Sequence, residues 1–306
     1  MTTFRTGTLT FARWLRYRVE WLGVKISMGL IRLFGMERAS AIAGWLTRKV
    51  GPRLGVSDVA RGNLRAAFPG MPDAEIEEIV RGVWENLGRT FAEYPNLEEI
   101  WHDPERRGTP SKRIQYAGEQ HLLAIRDNGT PALFFSAHLA NWEIPAIGAA
   151  GLGIKSSVLF RPPNNPFVAD LLFAHRSARM GRLIPTRYGA AAEALATLEA
   201  GGTVGMLVDT HVMAGVPAPF FGRAARTSTA LAKLARRTRA PIHGVRVERL
   251  GGVQFKVTIT PPLAVTYTDD EEADLLSIVT AINATIEGWV RERPADWNWL
   301  HNRWRE

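Results

Sequence analysis

The sequence predicts an α/β fold: a mostly parallel, mixed sheet flanked by helices, with a helical, membrane-associating segment in front of it. Three observations carry this. From residue 113 onward, short apolar runs alternate with stretches of helical periodicity, the pattern of strand–helix–strand units. Before that point only helical periodicity is found. The chain has 306 residues, of which 46% are hydrophobic, enough to bury a sizeable core. We therefore expect a helical region over 1–101. An α/β core over 102–306 should follow, ending in a long helix and a Trp-rich tail.

The first element expected is a helix over 9–34. Phe11, Leu15, Val19, Leu22, Ile26, Leu30 and Leu33 fall on one uncharged stripe. Arg18, Lys25 and Arg32 recur every seven residues on its flank, with Trp14, Trp21 and Met28 beside them. The charge of the chain is +8, and residues 1–53 hold ten Lys or Arg against two acids. The remainder is neutral, so the whole excess lies at this end. An apolar stripe bordered by tryptophan and cations suits a helix lying in a membrane interface. Phe11, Trp14, Leu15, Arg18, Trp21, Leu22, Lys25 and Ile26 are the expected contacts. The same pattern also suits a helix packed on the protein's own core. Nucleic acid is not the expected partner, since the aromatics belong to the apolar side of a long helix rather than to a base-stacking platform. No uncharged apolar run is long enough for a clear transmembrane span, and no signal peptide is expected.

Further helices are expected over 37–50 and 55–67, split by Gly51-Pro52. After the break Pro69-Gly70-Met71-Pro72, Asp73 caps a helix running to about Glu93. Residues 102–113, with Pro104, Gly108 and Pro110, read as a loop. Strands are expected at Ile114–Ala117, Ala132–Ser136, Ser157–Phe160, Val204–Val208, Ile242–Glu248 and Val253–Thr260. Helices should lie at about 119–127, 142–150, 166–180, 189–200 and 228–239. The last two strands flank Leu250-Gly251-Gly252, a hairpin signal, so one edge should be antiparallel. Residues 272–292 form a final helix and 297–305 a short tail.

Sites in such sheets form at the carboxyl ends of strands. His138 stands there, in Ser136-Ala-His138-Leu-Ala-Asn141-Trp-Glu143. A tight turn can bring the Glu143 carboxylate to the imidazole, leaving the other ring nitrogen to accept a proton; a His that merely caps a helix start is the plainer reading. Arg161 ends the next apolar strand and can grip a phosphate or carboxylate, unless it is a plain surface residue. Asn164 and Asn165 follow, an Asn cap before Pro166. Asp209 and His211 end a third strand, as a second acid–base pair or, more simply, as structural residues. Arg223 and Arg226 lie beyond, with Arg226 at the expected start of a helix, where anions bind well. His102, His121, His175, His243 and His301 have no such context and read as surface or core residues. There is no cysteine, which removes disulfides, thiolate metal sites and a cysteine nucleophile. There is no serine elbow, Walker A loop, dinucleotide fingerprint or zinc-protease motif. No cofactor or metal is expected.

Taken together, His138-Leu-Ala-Asn-Trp-Glu143, Phe160-Arg161-Pro-Pro-Asn-Asn-Pro166, Gly205–Asp209 with Pro219-Phe-Phe-Gly222, and Trp297-Asn-Trp-Leu-His-Asn-Arg-Trp304 resemble the lipid A biosynthesis (late) acyltransferases. These are a branch of the lysophospholipid acyltransferase-like superfamily, and the likeness covers nearly the whole chain. It implies a glycerol-3-phosphate acyltransferase-like core. It also implies that His138 and Glu143 are the catalytic pair and that Arg161 binds the phosphorylated substrate. The third block commonly ends Asp-Gln; here it is Asp209-Thr210. The implied reaction moves a fatty acyl chain from acyl carrier protein, or from coenzyme A, onto a hydroxyl of a lipid A precursor. It would take place at the cytoplasmic face of the inner membrane. Acylation of another membrane lipid, such as a lysophospholipid or a phosphatidylinositol mannoside, and an inactive membrane-docking protein are the alternatives.

Overall fold

The computed structural model describes residues 10–103, 106–110 and 112–305, and no side chains within 102–111. The chain begins with α1 (Phe11–Phe34) and α2 (Met36–Val50), separated only by Gly35 at φ 74°. After a 3-10 turn come α3 (Ser57–Ala67) and α4 (Asp73–Glu93), then α5 (Leu97–Trp101). The expected loop over 102–113 instead contains a small antiparallel ribbon, β1 (His102–Asp103) with β2 (Arg106–Pro110).

The α/β layer follows as β3 (Ile114–Ala117), α6 (Glu119–Asn128), β4 (Ala132–Ser136), α7 (Ile144–Gly151) and β5 (Ser156–Phe160). Next come α8 (Pro166–Ser177), β6 (Arg182–Pro185), α9 (Ala190–Glu199) and β7 (Thr203–Leu207). A hairpin, β8 (Val216–Phe220) and β9 (Arg223–Thr227), precedes α10 (Ala230–Thr238). Then come β10 (Ile242–Gly251), β11 (Gln254–Ile259) and α11 (Glu271–Glu292).

Seven strands form one sheet in the order β3-β11-β10-β4-β7-β5-β6. Pairings from β10 through β6 are parallel, and the β10–β11 turn reverses the direction at one side. Successive residues of β4 face opposite sides. Leu133 and Phe135 enter the core formed with α3, α4, α9, α10 and α11, whereas Phe134 packs into the second core with α5 and α7. The tail residues Trp297 and Trp299 are fully buried in the first of these cores.

Beyond that first ribbon, β6, β8 and β9 also escape the sequence pattern. β6 is a four-residue edge strand ending in Pro185, which needs no donor there. β8 carries Pro217 and Pro219, which would break a central strand. In an isolated two-stranded ribbon they face solvent, while Ala218 and Phe220 turn inward. Phe221 (φ 53°) and Gly222 (φ 69°) make the two-residue turn, both in the left-handed region that a primed hairpin turn demands. Arg223 and Arg226 therefore lie on β9, and Arg226 does not open a helix; α10 starts at Ala230.

The stripe on α1 is exposed: Phe11, Leu15, Val19, Leu22, Ile26, Leu30 and Leu33 all face solvent, Leu33 at 82%. Packing on the core is thus not what holds this face. The opposite side carries the contacts, with Met28 buried and α1 lying on α8. Asn165 makes that junction. Its side-chain oxygen caps α8 by accepting from Phe167 N and Val168 N. Its amide nitrogen donates to Tyr17 O and Glu20 Oε2 of α1, at 2.9 Å each. α2 adds a second exposed row, Ile42, Trp45, Leu46 and Val50. Among the described residues, no helix is long and apolar enough to cross a membrane.

Candidate active site

β4 and β7 are hydrogen-bonded neighbours running in the same direction, so the segments leaving their carboxyl ends emerge side by side. The first carries His138 and the second Asp209. His138 Nδ1 and Asp209 Oδ1 are 2.8 Å apart, and the His138 backbone N–H donates to Asp209 Oδ2, also at 2.8 Å. Trp297 Nε1 donates to the same Oδ2 at 2.8 Å, and His301 Nε2 lies 3.2 Å from the Asp209 carbonyl oxygen. The carboxylate is fully buried, whereas the His138 side chain keeps 23% of its surface exposed.

Burial opposes charge on both groups, yet their mutual attraction outweighs it. Burial pulls the His138 pKa down, but the Asp209 carboxylate and its hydrogen bond bring it above the ordinary imidazole value of 6.5. Burial likewise favours the neutral acid at Asp209, but the imidazole and the donors around it hold its carboxyl well below the usual range. With Nδ1–H directed at Asp209, Nε2 is left as the nitrogen that can take a proton.

This corrects the expected pairing. The carboxylate partner of the imidazole is Asp209, not Glu143. Glu143 is buried where α7 begins, and both its oxygens accept from Arg176 of α8, one of them from Nε at 3.1 Å. Arg176 is also seated between the rings of Tyr94 and Phe160. A full guanidinium fork satisfies Glu143 better than one imidazole N–H could. Asp209, expected among the substrate-binding residues, is fully buried against the imidazole, and its partner is His138 rather than His211.

The turn itself is held from below. Ala140 adopts φ 46°, and its carbonyl accepts from Asn86 and Thr90 of α4. Asn141 donates to Glu93, a fully buried carboxylate that also accepts from Ser40 and from both terminal nitrogens of Arg249 on β10. Asn298 N donates to the His138 carbonyl oxygen. None of Asn86, Thr90, Glu93, Arg249, Trp297 or His301 was singled out for chemistry by the sequence. The Trp-rich ending was the sole signal for the last two, and it does not name what they support.

His138 opens onto a cavity of about 630 Å³ between the sheet and α7. Its walls are mostly apolar: Phe134, Val158, Met206, Val245, Val257, Ile144, Ala149 and Met180 among them. Trp101 of α5 and Tyr116 of the edge strand β3 also line it. Trp101 approaches α7 where it does because Gly148 lacks a side chain; a Cβ there would lie 2.8 Å from the indole ring. Arg161 lines the cavity from the exposed end of β5.

The other expected binding residues lie elsewhere. Asn164 is exposed and does not line the cavity, and Asn165 is committed to the α1–α8 junction. Arg223 sits over the Trp304 ring, and Arg226 donates to the carbonyls of Met213 and Gly215. Neither contributes to the cavity wall. Among the described residues no group of His, Asp and Glu is placed to hold a metal ion.

An apolar cavity of this size, with a histidine–aspartate pair in its wall at the carboxyl ends of parallel strands, has room for a long apolar substrate beside an ionisable pair. The bacterial lipid A biosynthesis acyltransferase family matches residues 5–306, nearly the whole chain, and the protein belongs to that family; it is an acyltransferase. No curated protein sequence matches it.

Proposed function

We propose that the protein transfers a fatty acyl chain from the thioester of acyl carrier protein to a hydroxyl of a lipid A precursor, at the cytoplasmic face of the inner membrane. The observation that carries this is the apolar cavity of about 630 Å³ opening at His138, which suits an acyl chain whose thioester lies beside the base. His138 Nε2 takes the proton of the acceptor hydroxyl. The oxygen attacks the thioester carbonyl directly, and Asp209 stabilises the imidazolium that forms. Arg161, at the mouth, faces where a phosphorylated acceptor would approach. Membrane contact is supported by the exposed α1 stripe and by the exposed row on α2, with Trp14, Arg18, Trp21 and Lys25 at the border.

The test is direct. Purified protein is given acyl carrier protein thioesters and, in separate reactions, a lipid A precursor, a lysophospholipid and a phosphatidylinositol mannoside. Transfer to the precursor is expected, with a loss of roughly 10²–10⁴-fold in His138→Ala. Transfer to one of the other lipids alone would move the acceptor assignment. A folded His138→Ala variant with parental rates would remove the base.

A further inference from the structure

Attack on a thioester puts negative charge on its carbonyl oxygen, and a transferase of this kind needs a donor aimed at that atom. The turn carrying the base does not supply one from its first amides. The N–H of His138 donates to Asp209 Oδ2, that of Leu139 to Ala137 O and that of Ala140 to Asp296 O. The N–H of Glu143 donates to Asn141 Oδ1. Arg176 is committed to Glu143, and His301 directs Nε2 at the Asp209 carbonyl.

His211 stands apart from these. It lies two residues beyond Asp209 on the segment leaving β7, and it lines the same cavity as His138. Both of its ring nitrogens are buried, and neither has a hydrogen-bond partner. Buried polar atoms in native proteins are normally paired, so such an imidazole in a cavity wall points to a ligand atom that completes it. A neutral imidazole carries one N–H in either tautomer, so it always has a donor to offer. Two other cavity-lining side chains have buried, unpartnered hydroxyls, Tyr116 and Ser156, but neither is at the dyad. Tyr116 is three strands from β4, about 14 Å across the sheet. Ser156 begins β5, at the opposite end from the catalytic segments.

We propose that His211 is the oxyanion donor of the transfer reaction. This rests on the acyl-transfer reading above. As the acceptor oxygen bonds to the thioester carbon, its proton passes to His138 Nε2. The carbonyl π electrons move onto oxygen, and the His211 N–H donates a hydrogen bond to the oxyanion that forms. Collapse restores the carbonyl and breaks the carbon–sulfur bond. The departing thiolate takes the proton back from His138, so no group is left altered.

The experiment compares the full-length parent with His211→Phe and His211→Gln in detergent, with an acyl carrier protein thioester as donor and the acceptor the parent uses. Steady-state kcat, both KM values and the slow hydrolysis of the donor without acceptor are measured. His211→Phe should lower kcat by roughly 10²–10³-fold. Donor hydrolysis should fall by a similar factor, because water attack raises the same oxyanion. His211→Gln keeps an N–H and should recover part of both. A kcat for His211→Phe within about threefold of the parent's would overturn the assignment; so would an effect confined to the acceptor KM, with hydrolysis unchanged, or a Gln variant no better than Phe. These outcomes leave acyl transfer by the parent intact. A parent inactive with every thioester would sink the acyl-transfer reading along with the assignment.

Discussion

In the proposed mechanism Asp209 sets the tautomer of His138 as base, and its surroundings leave no freedom in how an amide could replace it. Oδ2 already accepts from the His138 backbone N–H and from Trp297 Nε1. In Asp209→Asn the amide oxygen must stay there, so the NH2 group faces His138 Nδ1. The imidazole then has to accept at Nδ1 and carry its proton on Nε2, where it cannot act as a base. We expect kcat to fall by about 10⁴-fold with the fold intact, the effect of a wrong tautomer in comparable dyads. The pH profile gives a second readout. His138 must be neutral to work, and its pKa lies above 6.5, so parental kcat/KM should decline as pH drops through that raised value. In the Asn variant the carboxylate that raises the pKa is gone and burial, which lowers it, remains. The residual activity should therefore hold to lower pH. An acid limb unmoved by the substitution would mean that another group titrates. The sequence displays His138 and Asp209 as strand-end residues but not their contact, because 71 positions separate them. That contact depends on β4 and β7 being neighbours, and strand order is not written in local periodicity. Glu143, five residues from His138, is the partner that spacing suggests. Arg176, on a helix whose packing no spacing reveals, takes it instead.

Helices and strands with a clean period were legible for the same reason that they fold: one face is apolar and must be covered. β4, β5, β7, β10 and β11 read as apolar runs because the sheet buries them between helices. β8 did not, because its prolines are tolerated only in a ribbon with free edges. α1 is the exception in the other direction, with a clear period but an uncovered face. Since Leu15, Leu22 and Ile26 are 47, 51 and 54% exposed, changing all three to Glu removes no core packing. The triple variant should keep the parent's thermal midpoint within a few degrees while losing binding to anionic vesicles, read by co-sedimentation. Salt should release only part of the parent, because screening near 1 M cuts the Debye length to about 3 Å without weakening apolar burial. Unchanged co-sedimentation of the triple variant would exclude the stripe as the membrane contact.

Across the molecule, the buried network of Ser40, Asn86, Thr90, Glu93, Asn141 and Arg249 joins α2 and α4 to β10 and to the turn that carries the base. Arg249→Met leaves Glu93 buried with its cation removed. Breaking such a pair costs about 3–5 kcal/mol, which denaturant titration should register as a lower midpoint. Replacing Glu93 by Leu in the same chain should recover much of that loss, since an apolar pair needs no compensation. A midpoint unmoved by Arg249→Met would mean that water reaches the carboxylate.

The tail that supports Asp209 has a further consequence, in time rather than space. Trp297 follows Asp209 by 88 residues, and Asn63 bonds to the carbonyls of Trp299 and His301 across more than 230. At roughly 5–20 residues per second, synthesis reaches Trp297 some 4 to 18 seconds after Asp209. Throughout that interval a nascent chain holds both members of the dyad but not the indole that fixes the carboxylate. The support for the Asp209 carboxylate is therefore made well after the residue it holds, and a chain grown only through α11 carries His138 and Asp209 without it.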